Sequence, residues 1–382
     1  MRNFENVLHF LHKNRNSEFL KYRFNNSNLT LEDIKTYEDF KNIKTISRKD
    51  LSDISKNLKE FTKMFEKRPI KIFESPGPIY NLYLEEYFQY RFYKALEYSS
   101  FSHGDIVVNT FSYHLTPAGE MFDEAVRKIG AVVIPAGPIS SSKCAELIKN
   151  TNATGFIGTK SFLRKVLEEL GEINPLLKAY LIAEKITHKE RTYLSQKYNI
   201  EIYQGYGTAE VGLIATECEF KDNMHIDDEL FVEILDTETG ENISEGEVGE
   251  AVITILNSNY PLIRYATGDL VGYTSKECSC GRDDVRITGV FGRVDSSIKV
   301  KGVFIHEWSF KEFCDKLSIK GKIVVENSEK NIDILKCYIS KPVGEFKEKF
   351  KEYFKLTLNE VEVDENLENS EIVEKRTYLK NK

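Results

Sequence analysis

Between Asp105 and Gln204 the chain alternates short apolar, β-branched runs with longer amphipathic ones. The spacing predicts strands over Asp105–Phe111, Ala131–Pro135, Thr154–Gly158, Lys178–Ala183 and Ile200–Gln204. It predicts helices over Ala118–Ile129, Ser142–Asn150, Ser161–Leu170 and Lys189–Tyr198. Strands separated by helices of this length join through right-handed crossovers, so the expected class is α/β with a largely parallel sheet. Ligands of such sheets bind outside the carboxyl ends of the strands. The segments to watch are therefore 112–117, 183–186 and 204–210.

The flanking regions read differently. Residues 1–70 are charged and helix-prone, Pro76-Gly77-Pro78 marks a turn, and 82–100 reads as an aromatic-rich helix. After Met224 the runs Leu230–Leu235, Glu250–Leu256 and Leu270–Tyr273 are split by Gly, Asp and Asn, which suggests a small antiparallel, barrel-like layer. From Asp295 onward the pattern suits a small α+β module. The expected domains are 1–294 and 295–382, with the boundary near Asp295.

Of the 382 residues, 41% are hydrophobic and 30% charged, enough to bury a core. A net charge of -7 argues against nucleic acid or an acidic membrane as the main partner. No run of apolar residues is long enough to span a bilayer, and Met1–Leu11 lacks the basic-then-apolar order of a secretory signal. A cytoplasmic location is expected. The oligomeric state stays open, a homodimer included.

Three motifs carry chemistry. In Gln204-Gly205-Tyr206-Gly207-Thr208-Ala209-Glu210 the glycines allow close approach to a ligand. Tyr206 offers a flat face to a purine, Thr208 a hydroxyl to a phosphate, and Glu210 a hard oxygen to Mg²⁺. The segment reads equally as an ordinary glycine-rich turn. Within Pro261–Leu270, Asp269 follows a glycine and suits the hydroxyls of a ribose, or a plain hairpin turn. Gly292-Arg293-Val294-Asp295, followed by Lys299 and Lys301, suits a hinge that touches a nucleotide, or a solvated linker.

In order and spacing these motifs resemble the adenylate-forming superfamily of acyl-CoA synthetases, and within it the phenylacetate–coenzyme A ligase branch. Tyr37–Phe40, Ile46–Leu51, Tyr113–Gly119, Val133–Gly137 and Gly246–Glu250 extend the resemblance over nearly the whole chain. It implies attack of a small carboxylate, aromatic acids included, on the α-phosphate of ATP, then transfer of the acyl group to a thiol, usually coenzyme A. Carried over, Gly205, Tyr206, Gly207, Thr208, Ala183 and Glu184 contact the nucleotide, and AMP remains on the acyl intermediate. Glu210 holds Mg²⁺, Asp269 the ribose and Arg293 ribose or phosphate. Tyr113 and His114 lie beside the carboxylate. Such chemistry rests on positioning and charge stabilisation.

Two segments depart from the family. Where it has a Ser/Thr/Gly-rich phosphate loop, this chain has Ser75-Pro76-Gly77-Pro78, leaving Ser75 and Gly77 as a leaner grip because proline donates no amide hydrogen. Where it has a catalytic lysine near the C-terminus, this chain has Val373, with Lys375 two residues on. A carrier-protein thiol or an amine as acceptor, and a nucleotide- or acyl-binding protein with weakened catalysis, are the rival readings. Among the six cysteines, Cys144, Cys314 and Cys337 read as core thiols. Cys218, His225, Cys278 and Cys280 make a three-thiolate, one-imidazole set suited to structural Zn²⁺, or are four unrelated residues.

Overall fold

The structure, a computed structural model, describes residues 4–75, 79–84, 90–282, 284–294, 297–300, 303–328 and 333–376. Among these, twelve strands form the main sheet. Its parallel half runs in the spatial order Glu201–Thr208, Lys178–Leu181, Gly155–Gly158, Ile106–Asn109, Val132–Pro135. The helices Ala118–Lys128, Ser141–Thr151, Lys160–Leu170 and His188–Tyr198 make the crossovers. Ser140, Thr159 and Thr187 cap the last three by accepting from the amide three residues on, and Asn152 and Asn199 end two of them in the left-handed conformation. Leu163, Val166, Leu167 and Leu170 form the buried stripe of Lys160–Leu170. Ile106–Asn109 has a neighbour from a different connection on either side. A crevice therefore opens at its carboxyl end.

Strand Glu201–Thr208 joins the two halves of the sheet. Residues 201–204 pair in parallel with Lys178–Leu181, and 205–208 pair antiparallel with Gly212–Thr216 across a bulge at Tyr206/Gly207. The segment expected to loop after Gln204 thus stays in the ladder up to Thr208. Its glycines serve close approach. A Cβ on Gly205 would lie 1.8 Å from the Tyr180 hydroxyl oxygen, and one on Gly207 2.3 Å from the Gly212 carbonyl oxygen. Beyond Gly212–Thr216 the sheet continues through Met224–Ile226, Arg286–Arg293, Tyr265–Thr274, Gly249–Ile255 and Leu230–Leu235. The expected barrel-like layer is an antiparallel wing of this one sheet, with no closed barrel among the described residues.

The expected helix over 82–100 resolves into strand Ile79–Leu84 and helix Phe92–Tyr98. That strand forms a hairpin with Pro69–Ser75 and is buried on both faces, so no period of two marks it. Near the N-terminus the two-residue strand Ile46–Ser47 pairs in parallel with Tyr265–Ala266. Just before those residues, Arg264 donates to both carboxylate oxygens of Glu233 at 2.9 and 3.0 Å and to the backbone carbonyls of Lys41 and Ile43.

The chain forms two compact units, Met1–Thr267 with Val271–Val290, and Gly268–Leu270 with Phe291–Lys382. In the second unit, the strands Glu360–Val363, Asp333–Ile339, Gly321–Asn327 and Glu371–Glu374 form a sheet in that order. Phe310, Phe313, Phe346, Phe350 and Phe354, from helices Glu307–Lys316 and Phe346–Phe354, pack its core. Gly77 and Asp295 lie outside the described residues. No described helix is long and apolar enough to cross a membrane.

Candidate active site

At the crevice a cavity of about 310 Å³ opens in the first unit. One wall is apolar: Phe92, Phe111, Met121, Phe122 and Ile182. Phe111 and Phe122 stack with ring centres 5.3 Å apart, and Phe92 leans on Phe122 at 4.5 Å. The other wall is Ser75, Ala183, Gly207, Thr208 and Arg48. Six segments distant in sequence converge here, around residues 48, 75, 92, 111–122, 182–183 and 207–209.

Ser75 closes its strand and is 3% exposed; its hydroxyl accepts from Asn81 Nδ2 at 2.9 Å. Thr208 Oγ1 accepts from the Val211 amide at 3.2 Å, which fixes its rotamer toward the turn. Ala183 holds φ at 72°, a left-handed position that turns the backbone after strand Lys178–Leu181. Glu184 is occupied locally: its carboxylate accepts from the Ser161 amide and hydroxyl at 2.8 and 2.7 Å. Tyr206, expected to offer a ring face, is 6% exposed and packs in the core, its hydroxyl 3.5 Å from Thr267 Oγ1.

Glu210 is 5% exposed, and its Oε1 has no hydrogen-bond partner. Arg48 Nε stands 3.6 Å from that oxygen, an ion pair longer than a hydrogen bond. Burial, and then the Glu210 charge, push the pKa of the Tyr265 hydroxyl far above its ordinary value. A buried carboxylate oxygen with no donor fits a cation, and one carboxylate is what Mg²⁺ bound chiefly through phosphates asks of a protein.

The substrate-side loop is arranged otherwise than expected. Phe111 and Thr116–Ala118 line the cavity. Tyr113 turns to its own helix, where its hydroxyl accepts from Asn109 Nδ2 at 2.8 Å and donates to Asp123 at 3.2 Å; His114 is exposed. In the second unit, Arg293 Nη1 donates to Asp269 Oδ1 at 2.8 Å. There Lys375 is exposed, and its amide donates to the Val325 carbonyl at 2.7 Å.

A separate cluster lies in the antiparallel wing. The ligand atoms of Cys218, His225, Cys278 and Cys280 all lie within 4.8 Å of one another. His225 Nε2 faces Cys280 Sγ at 3.5 Å, while its Nδ1 is held by the Asp284 carboxylate. A carboxylate on the far nitrogen is the usual way a ligating imidazole is oriented, so the donor set fits Zn²⁺. The sequence hinted at Phe111 as an aromatic lining; the residues that sequence reasoning left without a role are Arg48, Asn81, Phe92 and Phe122. Only Arg48 had a local signal, as the first residue of a helix capped by Ser47 and Asp50.

No protein-family profile matches the chain. The phenylacetate-coenzyme A ligase of Thermus thermophilus is 29% identical over 214 residues, 53% of this chain and 48% of that protein. The enzyme of the same name from Aromatoleum evansii is 30% identical over 224 residues, 56% and 50% of the two chains. The matches thus span about half the length of these relatives. Among solved structures, an open conformation of 2-hydroxyisobutyryl-CoA ligase in complex with 2-HIB-AMP and CoA superposes with a TM-score of 0.78 at 16% identity, covering 97% of this chain and 89% of that one. The fold is that of adenylate-forming coenzyme A ligases. The anthranilate CoA ligase AuaEII, solved with anthranoyl-AMP, superposes at 0.52 over 80% of this chain and 65% of its own.

Proposed function

We propose that this protein activates a monocarboxylic acid with an apolar, aromatic-sized side chain as its acyl-adenylate and passes the acyl group to coenzyme A. The observation that carries the reading is the cavity itself: phenylalanines sized for a hydrocarbon body, together with one cation, Arg48, and the hydroxyls of Ser75, Thr116 and Thr208. The acid sits with its side chain against Phe111 and Phe122 and its carboxylate toward Thr208. Ser75 and Thr208 donate to phosphate oxygens. Asn81 keeps the Ser75 hydroxyl proton free for that task by donating to its oxygen. Glu210 holds the metal, which when bound would neutralise charge on the phosphates. Asp269 and Arg293 are assigned to the ribose, and Lys375 to a phosphate. The cysteine–histidine cluster is assigned to a structural zinc ion in a cytoplasmic protein.

The test is acid-dependent exchange of pyrophosphate into ATP, with phenylacetate, 2-hydroxyisobutyrate and anthranilate as first probes. It is followed by thioester formation with coenzyme A or with a carrier protein. Exchange with an apolar acid and a coenzyme A product is expected. Binding of AMP without exchange for any acid would sink the reading and favour a nucleotide-binding protein on the same fold.

A further inference from the structure

Three hydroxyl side chains line the cavity among the described residues: Ser75, Thr116 and Thr208. Two of them are engaged by the protein. Ser75 accepts from Asn81 at 2.9 Å and Thr208 from the Val211 amide at 3.2 Å. The Thr116 amide donates to the His114 carbonyl at 2.7 Å, while its hydroxyl has no hydrogen-bond partner among the described residues. Nor does that hydroxyl serve as a cap. The helix Ala118–Lys128 has Pro117 at its N-cap and no side chain capping it. A hydroxyl left open beside phenylalanines is a donor with its acceptor still to come, and the cavity is where a ligand would bring one.

The loop that carries Thr116 is fixed from both ends. The Gly119 amide donates to the Ser112 carbonyl at 2.8 Å, and a Cβ on Gly119 would lie 2.7 Å from that oxygen, so the loop closes tightly on the first turn of the helix. Leu115 holds φ at 61°, a left-handed position that bulky residues rarely adopt, and its side chain is 67% exposed. That turn sends Leu115 out to solvent and leaves Thr116 and Pro117 on the cavity. The Leu115 carbonyl accepts from the Glu74 amide at 2.8 Å, which ties the loop to the end of strand Pro69–Ser75. Thr116 and Ser75 are therefore each the next residue after a partner in that bond, on the same side of the cavity. Backbone donors are scarce there, because Pro76 and Pro78 have no amide hydrogen.

We propose that Thr116 is a phosphate-binding residue that, with Ser75, holds the two outer phosphates of ATP as they leave as pyrophosphate. The proposal rests on the ligase reading above, which places the acid's carboxylate, and hence the phosphorus it attacks, at Thr208. In the step, a carboxylate oxygen forms the new bond to the α-phosphorus. The bond between that phosphorus and the bridging oxygen breaks, and its electron pair leaves with pyrophosphate. No proton moves. Charge grows on the departing oxygens, and hydroxyls already held in place stabilise it without reorganisation.

The experiment compares the full chain as wild type, as Thr116→Val, which removes the hydroxyl, and as Thr116→Ser, which keeps it. The Kd of ATP and of AMP is measured by calorimetry, and KM for ATP, pyrophosphate and acid in acid-dependent exchange. A hydrogen bond to a charged group is worth about 10–100-fold in affinity. In Thr116→Val the Kd of ATP and the KM of ATP and pyrophosphate are expected to rise by about that factor. The Kd of AMP and the KM of the acid should stay within about threefold of wild type, and every value for Thr116→Ser should do the same. A raised KM for the acid with ATP unchanged would put Thr116 on the acid and overturn the proposal. Equal weakening of ATP and AMP with a lowered unfolding midpoint would mean a structural role and overturn it too, as would unchanged ATP and pyrophosphate values. A wild-type protein that binds AMP but exchanges with no acid overturns the ligase reading. The contrast between ATP and AMP binding in Thr116→Val then decides the phosphate contact by itself.

Discussion

At the residue scale, one buried carboxyl reports on pH. Glu124, 3% exposed, accepts from the Tyr83 hydroxyl at 2.6 Å. Burial first of all, with Glu120 adding and the Tyr83 hydrogen bond opposing, pushes its pKa up to about 7. The folded protein therefore holds a proton there that the unfolded chain, with an ordinary Glu near 4.3, releases earlier. The stabilisation is complete below the unfolded pKa and fades as pH rises through about 7. Glu124→Gln should flatten that fall and raise unfolding free energy at pH 8 by about 3 kcal/mol, read from denaturant midpoints at pH 5 and 8. An equal effect at both pH values would refute it. Gly205→Ala tests close approach instead. Its methyl would displace the Tyr180 hydroxyl from Thr216, 3.1 Å away, at an expected loss of about 1–3 kcal/mol.

At the element scale, the three thiols and one imidazole come from the ends of antiparallel strands. Cys218 follows Gly212–Thr216, His225 lies in Met224–Ile226, and Cys278 and Cys280 precede Arg286–Arg293. A metal there would add a cross-link to strands already paired through Met224 with Ile287 and His225 with Arg286. Purified protein should carry one zinc ion per chain, and chelation should lower its melting temperature. Free zinc at 100 times its dissociation constant should restore about 2.7 kcal/mol. Cys278→Ser should abolish both responses, and a chelator-insensitive melt would end the zinc assignment. The alternating strands and helices of 105–204 were legible because the helices end at Gly or Asn (Gly130, Asn152, Gly171, Asn199) and most of them carry a buried apolar stripe. The hairpin ending at Ser75 was not. Ile70 and Ile72 are exposed while Leu82, Tyr83 and Leu84 are all buried, so neither strand alternates. Ala183, Gly207 and Thr208 were visible as candidates because they follow a predicted strand, and Ser75 because it stands where the resembling family has its phosphate loop. Arg48 was not, since only long-range pairing of a two-residue strand brings it there.

At the scale of the whole molecule, a buried ion pair of the antiparallel wing also holds the N-terminal segment. Arg264 binds Glu233 and the carbonyls of Lys41 and Ile43, and Tyr37 adds a hydrogen bond to Glu233 at 3.0 Å. Glu233→Ala leaves that guanidinium buried without a counter-charge, which should cost about 3–5 kcal/mol in urea unfolding. Because residues 46 and 47 follow closely, the same substitution should also reduce pyrophosphate exchange in protein that remains folded. Full exchange in such protein would show that the helix carrying Arg48 is placed independently of this anchor.

The strand Glu201–Thr208 has a consequence for how such a site can change over time. Loops tolerate insertion; a hydrogen-bonded ladder does not. A single residue added between Gly205 and Thr208 would exchange the two faces of the strand. The Tyr206 ring would turn toward the space the glycines keep clear, and Thr208 would point away from the cavity. The length of this segment is therefore frozen, and new substrates can be accommodated only by exchanging side chains around it, such as Phe111, Met121 and Phe122, while the spacing itself stays fixed.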